Sequence, residues 1–142
     1  MMPLPSAEET ANTRRRAELR GREAVALWRI KGAVWGARLY AALFAVVSIV
    51  PLLQTNYPDW TAASILAAIA IGLLIASEFL RRGSRVAAVL LMATLIAAKL
   101  MSWLYAHEPF WSGAVWTIIV FGAFVNGIWG AFELAQVRRQ RA

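Results

Sequence analysis

Residues 60–85 read WTAASILAAIAIGLLIASEFLRRGSR. From Trp60 to Leu80 a single ionisable side chain, Glu78, interrupts a run of apolar and small residues, and then Arg81, Arg82 and Arg85 follow. An α-helix needs about 20 predominantly apolar residues to cross the hydrocarbon core of a bilayer, and this run has that length. A strand in lipid would leave backbone groups unpaired unless it closed into a barrel. Strands of this length and uniform apolarity would be unusual, and alanine, leucine and glycine dominate, which favours the helix.

The same pattern recurs along the chain. Apolar runs lie at about 33–53, 60–80, 84–105 and 110–135. Four transmembrane helices are therefore predicted: an all-α polytopic membrane protein, an antiparallel four-helix bundle of two hairpins, preceded by a basic cytoplasmic helix. Residues 1–31 form the N-terminal cytoplasmic segment, with a disordered polar start over 1–12 and a helix over 13–31. Residues 32–137 form the transmembrane domain and 138–142 a basic cytoplasmic tail. Around the helix predicted over 13–31 the charges fall on every side. An in-plane amphipathic helix is thus compatible with it but not demanded.

The bulk composition agrees. The 142 residues are 60% hydrophobic and 16% charged, with a mean hydropathy of +0.55. Soluble domains carry about a quarter charged residues. There are no cysteines, which excludes disulfides, thiolate metal sites and cysteine nucleophiles. The net charge of +7 raises nucleic-acid binding as one explanation, but the placement of the charge argues for membrane topology. Eight of the fifteen basic residues lie between Arg14 and Arg38, three in RRGSR and three in VRRQRA. Positive residues flanking apolar runs on alternate sides mark the cytoplasmic face. Both termini and the 81–85 loop are therefore predicted to be cytoplasmic, in a bacterial inner membrane, with 54–60 and 105–111 facing outward. Trp60, Trp103 and Trp111 would anchor the outer interface, and Trp28 and Trp35 the inner one.

The two outward loops share a detail. Tyr57-Pro58-Asp59-Trp60 parallels Glu108-Pro109-Phe110-Trp111, and each following helix ends in a glutamate before an arginine pair. Proline fits a first helical turn without losing a hydrogen bond, so the motif predicts two hairpins of one orientation, with duplication as one origin.

Few polar groups fall within the runs. Lys99 lies six residues before Tyr105, about 9 Å inside the outer helix end. Its stem is long enough to carry the ammonium to the headgroups; Glu108, Asp59 and Thr117 are its expected companions if it faces protein. Asn126 stands in GAFVNGIWGA, where Gly122, Asn126 and Gly130 form one four-residue row and Ala123, Gly127 and Ala131 the adjacent one. Small residues let helices approach closely, and an amide in lipid seeks a partner on another helix. The row Ser64, Ala68, Gly72 and Ala76 on the second helix is the expected mate. Glu78 and Glu133 close the second and fourth helices, with Arg81, Arg82 and Arg138 as expected ion-pair partners.

No catalytic constellation emerges. His107 is the only histidine; with Glu108 and Asp59 it makes too sparse a set for a metal, and no haem ligand lies inside a run. No phosphate loop or nucleophile elbow occurs. No enzyme activity, metal or cofactor is expected. The expected role is a structural or accessory component of the membrane or of a larger membrane complex. A small homo-oligomeric transporter or channel using Lys99, Asn126 and the helix-end glutamates is the alternative. The expected partners are the lipid bilayer, anionic lipids at the basic N-terminal segment, and a homodimer mate or larger membrane protein, but not nucleic acid.

Overall fold

A computed structural model of the chain describes residues 6–53, 57–105 and 113–141, without the side chains of 101, 102 and 105. It is all-helical: α1 (Ala7–Val47), a single 3-10 turn (Val50–Leu52), α2 (Trp60–Arg81), α3 (Arg85–Tyr105) and α4 (Ala114–Arg141), with no strand among the described residues. Three of the helical segments, Ala7–Leu52, Trp60–Arg81 and Ala114–Arg141, are long and apolar enough to cross a membrane.

The N-terminal half departs from the expected boundaries. The basic segment and the first apolar run are not two elements. They form one unbroken helix of 41 residues, about 60 Å long. It begins at Ala7, not at residue 13, because Ser6 and Glu9 make a reciprocal capping box. The Ser6 hydroxyl accepts from the Glu9 amide at 3.2 Å, and the Ser6 amide donates to Glu9 Oε2 at 2.9 Å. Two otherwise orphaned donors are satisfied there, and Glu8 and Glu9 add negative charge to the positive end of the dipole. Residues 7–22 are exposed apart from Leu19. They persist as helix because nucleation has already occurred in the packed part, and each further residue adds a hydrogen bond to a formed turn.

The other end of α1 also differs. The apolar run continues to residue 53, but the α-helix stops at Val47. Pro51 is the reason: its ring would clash with the carbonyl four residues earlier, that of Val47, and it offers no amide hydrogen. The chain tightens into the 3-10 turn instead. Pro58 likewise precedes the first turn of α2 and does not occupy it. The N-cap is Asp59, whose Oδ1 accepts from the Ala62 amide at 2.9 Å. The corresponding Pro109 segment lies outside the described residues.

Between α2 and α3 the turn is short and well defined. Gly83 has φ +84°, its amide donates to the Leu80 carbonyl at 2.8 Å, and the Ser84 amide donates to the Phe79 carbonyl at 3.1 Å. This pair of bonds is the glycine-terminated helix stop in which two orphan carbonyls are closed. The Ser84 hydroxyl then accepts from the Ala87 amide at 3.3 Å, starting α3. A Cβ on Gly83 would meet Leu134 of α4 at 3.0 Å, so both backbone and packing select glycine.

The helices pack with α1 against α2 and α4, and α3 against α2 and α4. Contacts fix the directions. Gly36 faces Ala123, Ala33 faces Gly127, and Ala26 and Ile30 face Gly130, so α1 and α4 run antiparallel. The buried stripe of α1 is Ala26, Ile30, Ala33, Val34, Ala37 and Ala41, spaced by three and four as one helix face requires. Phe124, Leu73, Leu80, Leu91 and Leu134 fill the centre. α4 does not end near 135 either. It continues to Arg141 through the basic tail, because Val137 is still buried and the Arg141 guanidinium meets Glu23 at 2.7 Å.

Candidate functional site

The charged side chains converge where the second half of α4 lies against α1 and where α2 turns into α3. Arginines and Lys31 outnumber the carboxylates Glu23, Glu78 and Glu133 in this region. Glu133 is the best enclosed of the three, with 17% of its side chain exposed. Arg29 Nη1 donates to its Oε2 at 3.1 Å and Arg22 Nε to its Oε1 at 3.5 Å. The expected partner Arg138 is replaced by two arginines from α1, over a hundred residues away in sequence. The Arg29 guanidinium also lies 5.6 Å from the centre of the Trp129 ring, close enough for a cation–π contribution.

Glu78 behaves as its sequence position implies. Its carboxylate accepts from Arg81 Nη2 at 2.6 Å, with Arg82 at 3.9 Å and Arg38 of α1 at 3.7 Å. Arg85 sits 5.1 Å over Phe132, so an arginine of the α2–α3 turn also reaches α4.

A groove of about 440 Å³ opens beside this cluster. From α1 come Trp28, Lys31, Gly32 and Trp35, and from α4 Ala123 and Asn126; Arg29 borders it. A second groove of about 290 Å³ runs between α1 and α2 beneath Arg38 and is lined mainly by alanines.

The small-residue rows separate sharply. Gly127 and Gly130 are buried beneath α1, where Gly130 is so close that a Cβ would approach the Ala26 carbonyl to 2.8 Å. The partner of this seam is α1, not α2. The proposed mates Ser64, Ala68 and Gly72 are exposed on the outside of α2. Gly122 is exposed as well, and a Cβ added at Gly122 or Gly72 would meet nothing within 4 Å. Asn126 points into the groove and is exposed.

Lys99 lies half-buried on α3 and is engaged by a neighbour. Its expected companion Glu108 lies outside the described residues, as do His107 and Trp111. The described tryptophans, Trp28, Trp35, Trp60, Trp103, Trp116 and Trp129, all stand exposed. Among the described residues no group of three potential ligands is placed to hold a metal. Sequence reasoning missed the groove and the Arg22–Glu133–Arg29 bridge. The groove was signalled by Trp28, Gly32 and Trp35, which share one face at spacings of four and three.

The chain matches no protein-family model, no curated protein and no solved structure.

Proposed function

We propose that this chain is an integral membrane protein whose four helices cross the bilayer with both termini cytoplasmic. Its role in this reading is structural or accessory: a small component that stabilises or regulates a larger membrane complex or the membrane itself. The observation that carries the proposal is the distribution of polarity between inside and outside. Among the described residues the interior is apolar, and the one buried polar side chain, Ser77, donates back to its own helix at the Leu74 carbonyl. The outside is apolar too: Leu39, Ile71 and Ile118 are more than half exposed. Helices apolar all round belong in a large core or in lipid, and a chain of this size has no such core. Of the groups a transport path would use, Asn126 faces outward, as do the small residues Ser64 and Gly72, where a partner helix would meet them.

Two experiments test the two parts. The chain has no cysteine, so single replacements report sidedness cleanly. Tyr57→Cys is expected to react with an impermeant maleimide in intact cells, and Gln140→Cys only after permeabilisation; labelling of both from outside would overturn the orientation. Extraction of the tagged chain in mild detergent, followed by intact-complex mass spectrometry, is expected to show a larger membrane protein at fixed stoichiometry. A lone homo-oligomer would replace the accessory role with the transporter or channel reading.

A further inference from the structure

We infer that the groove between α1 and α4 holds the headgroup of one anionic phospholipid, with Lys31 meeting the phosphate. This rests on the membrane reading above and assigns a specific site in place of a diffuse basic surface.

Charge comes first. Glu133 is one carboxylate shared by two guanidiniums, those of Arg22 and Arg29. Lys31, two residues further on, is exposed and has no carboxylate partner among the described residues. The local surplus is positive and uncompensated by the chain, and it borders a concave site. A phosphodiester supplies the missing charge, and ammonium-to-phosphate hydrogen bonds are of the stronger, charge-assisted kind.

Shape and depth agree with a lipid. The groove, about 440 Å³, lies within the range of ordinary ligand sites, about 300–1,000 Å³. Gly32 leaves its floor open, since a Cβ there would meet nothing within 4 Å. Trp28 and Trp35 flank it, 75% and 57% exposed, one heptad apart on the same face. Amphipathic indole rings favour the headgroup level. Lys31 stands two residues before Ala33, where the apolar run opens, so its ammonium lies close to that boundary. Asn126, on the α4 wall, makes no hydrogen bond among the described residues. Its amide can donate to a glycerol ester carbonyl, which explains an outward amide on an apolar helix. Beyond Trp35 the same face of α1 continues as exposed Leu39 and Leu43, a track for acyl chains. A soluble phosphate compound would have no use for that track.

The test uses the full chain in mild detergent, with native mass spectrometry after stepwise delipidation in phosphatidylglycerol or phosphatidylcholine. The wild-type chain is expected to keep one phosphatidylglycerol after phosphatidylcholine is lost. Lys31→Gln is expected to weaken retention about tenfold or more, the effect of one lost charge-assisted hydrogen bond, and Gly32→Leu is expected to weaken it by filling the floor of the groove. Arg139→Gln, on the exposed end of α4, is expected to keep the lipid. Equal retention of both lipids, or equal loss in Arg139→Gln and Lys31→Gln, would overturn the site. Displacement of phosphatidylglycerol by millimolar inorganic phosphate would overturn the lipid in favour of a soluble anion. If alkaline carbonate strips the wild-type chain from membranes, the membrane reading itself has failed. A chain that resists carbonate but shows no lipid preference refutes the groove alone.

Discussion

Gly127→Leu is expected to push α1 away from α4 and to give the largest loss of stability of any single glycine replacement in the chain. A Cβ at position 127 would overlap the Cβ of Ala33, and neither atom has a flexible stem to bend aside. Overpacking a tight contact typically costs about 1–3 kcal/mol, and the leucine side chain should reach or exceed the upper end. Gly127→Ala should fall at the lower end. The control is Gly122→Leu, about 1.4 turns away on the outer face, where an added side chain meets open space. It should leave the melting temperature near wild type, and helix propensity favours it slightly. The exposed tryptophans report the melt by their fluorescence. Equal melting temperatures for Gly127→Leu and Gly122→Leu would refute the α1–α4 seam.

Removing the charge of Glu133 should produce the second large effect. Glu133→Gln leaves Arg22 and Arg29 facing each other without a counter-charge. With only 17% of the Glu133 side chain and 30% of Arg29 exposed, the bridge lies between the exposed and buried regimes. A loss of about 1–3 kcal/mol is expected. Glu78→Gln removes a bridge whose partners are mostly in solvent, and should cost clearly less than Glu133→Gln. High salt should shrink the Glu78 effect more than the Glu133 effect. A double-mutant cycle on Arg29→Gln and Glu133→Gln isolates the pair; a coupling indistinguishable from zero would reduce the bridge to a surface accident.

Much of the architecture was legible because it depends on local patterns. Each apolar run became a helix, and RRGSR became the turn between α2 and α3. The errors cluster where one local signal overrode another. The polar composition of residues 1–12 suggested disorder, yet the Ser6–Glu9 capping signature, also present in the sequence, starts a helix there. Pro51 was absorbed into an apolar run although its ring forbids a helix through Val47. The site was harder to read because it is built from residues distant in sequence. Nothing local links Arg22 and Arg29 to Glu133. The seam of Gly127 and Gly130 is visible as a motif, but the sequence points to the small row of α2 as its mate, whereas α1 fills that place. The small stripe of α1, Ala26, Ala33, Ala37 and Ala41, is the one that lets a backbone come close, and it was hidden by the larger residues that alternate with it.

Beyond Arg22, whose guanidinium reaches Glu133 of α4, α1 runs on to Ala7 with every side chain but that of Leu19 exposed. From Ala33 to Ala7 is about 39 Å of rigid rod. A lean of about 10° at the glycine seam therefore sweeps the tip through about 7 Å. Neither proline nor a break interrupts the helix along that length. The protruding end acts as a pointer that converts a small tilt among the packed helices into a displacement larger than the width of a water shell.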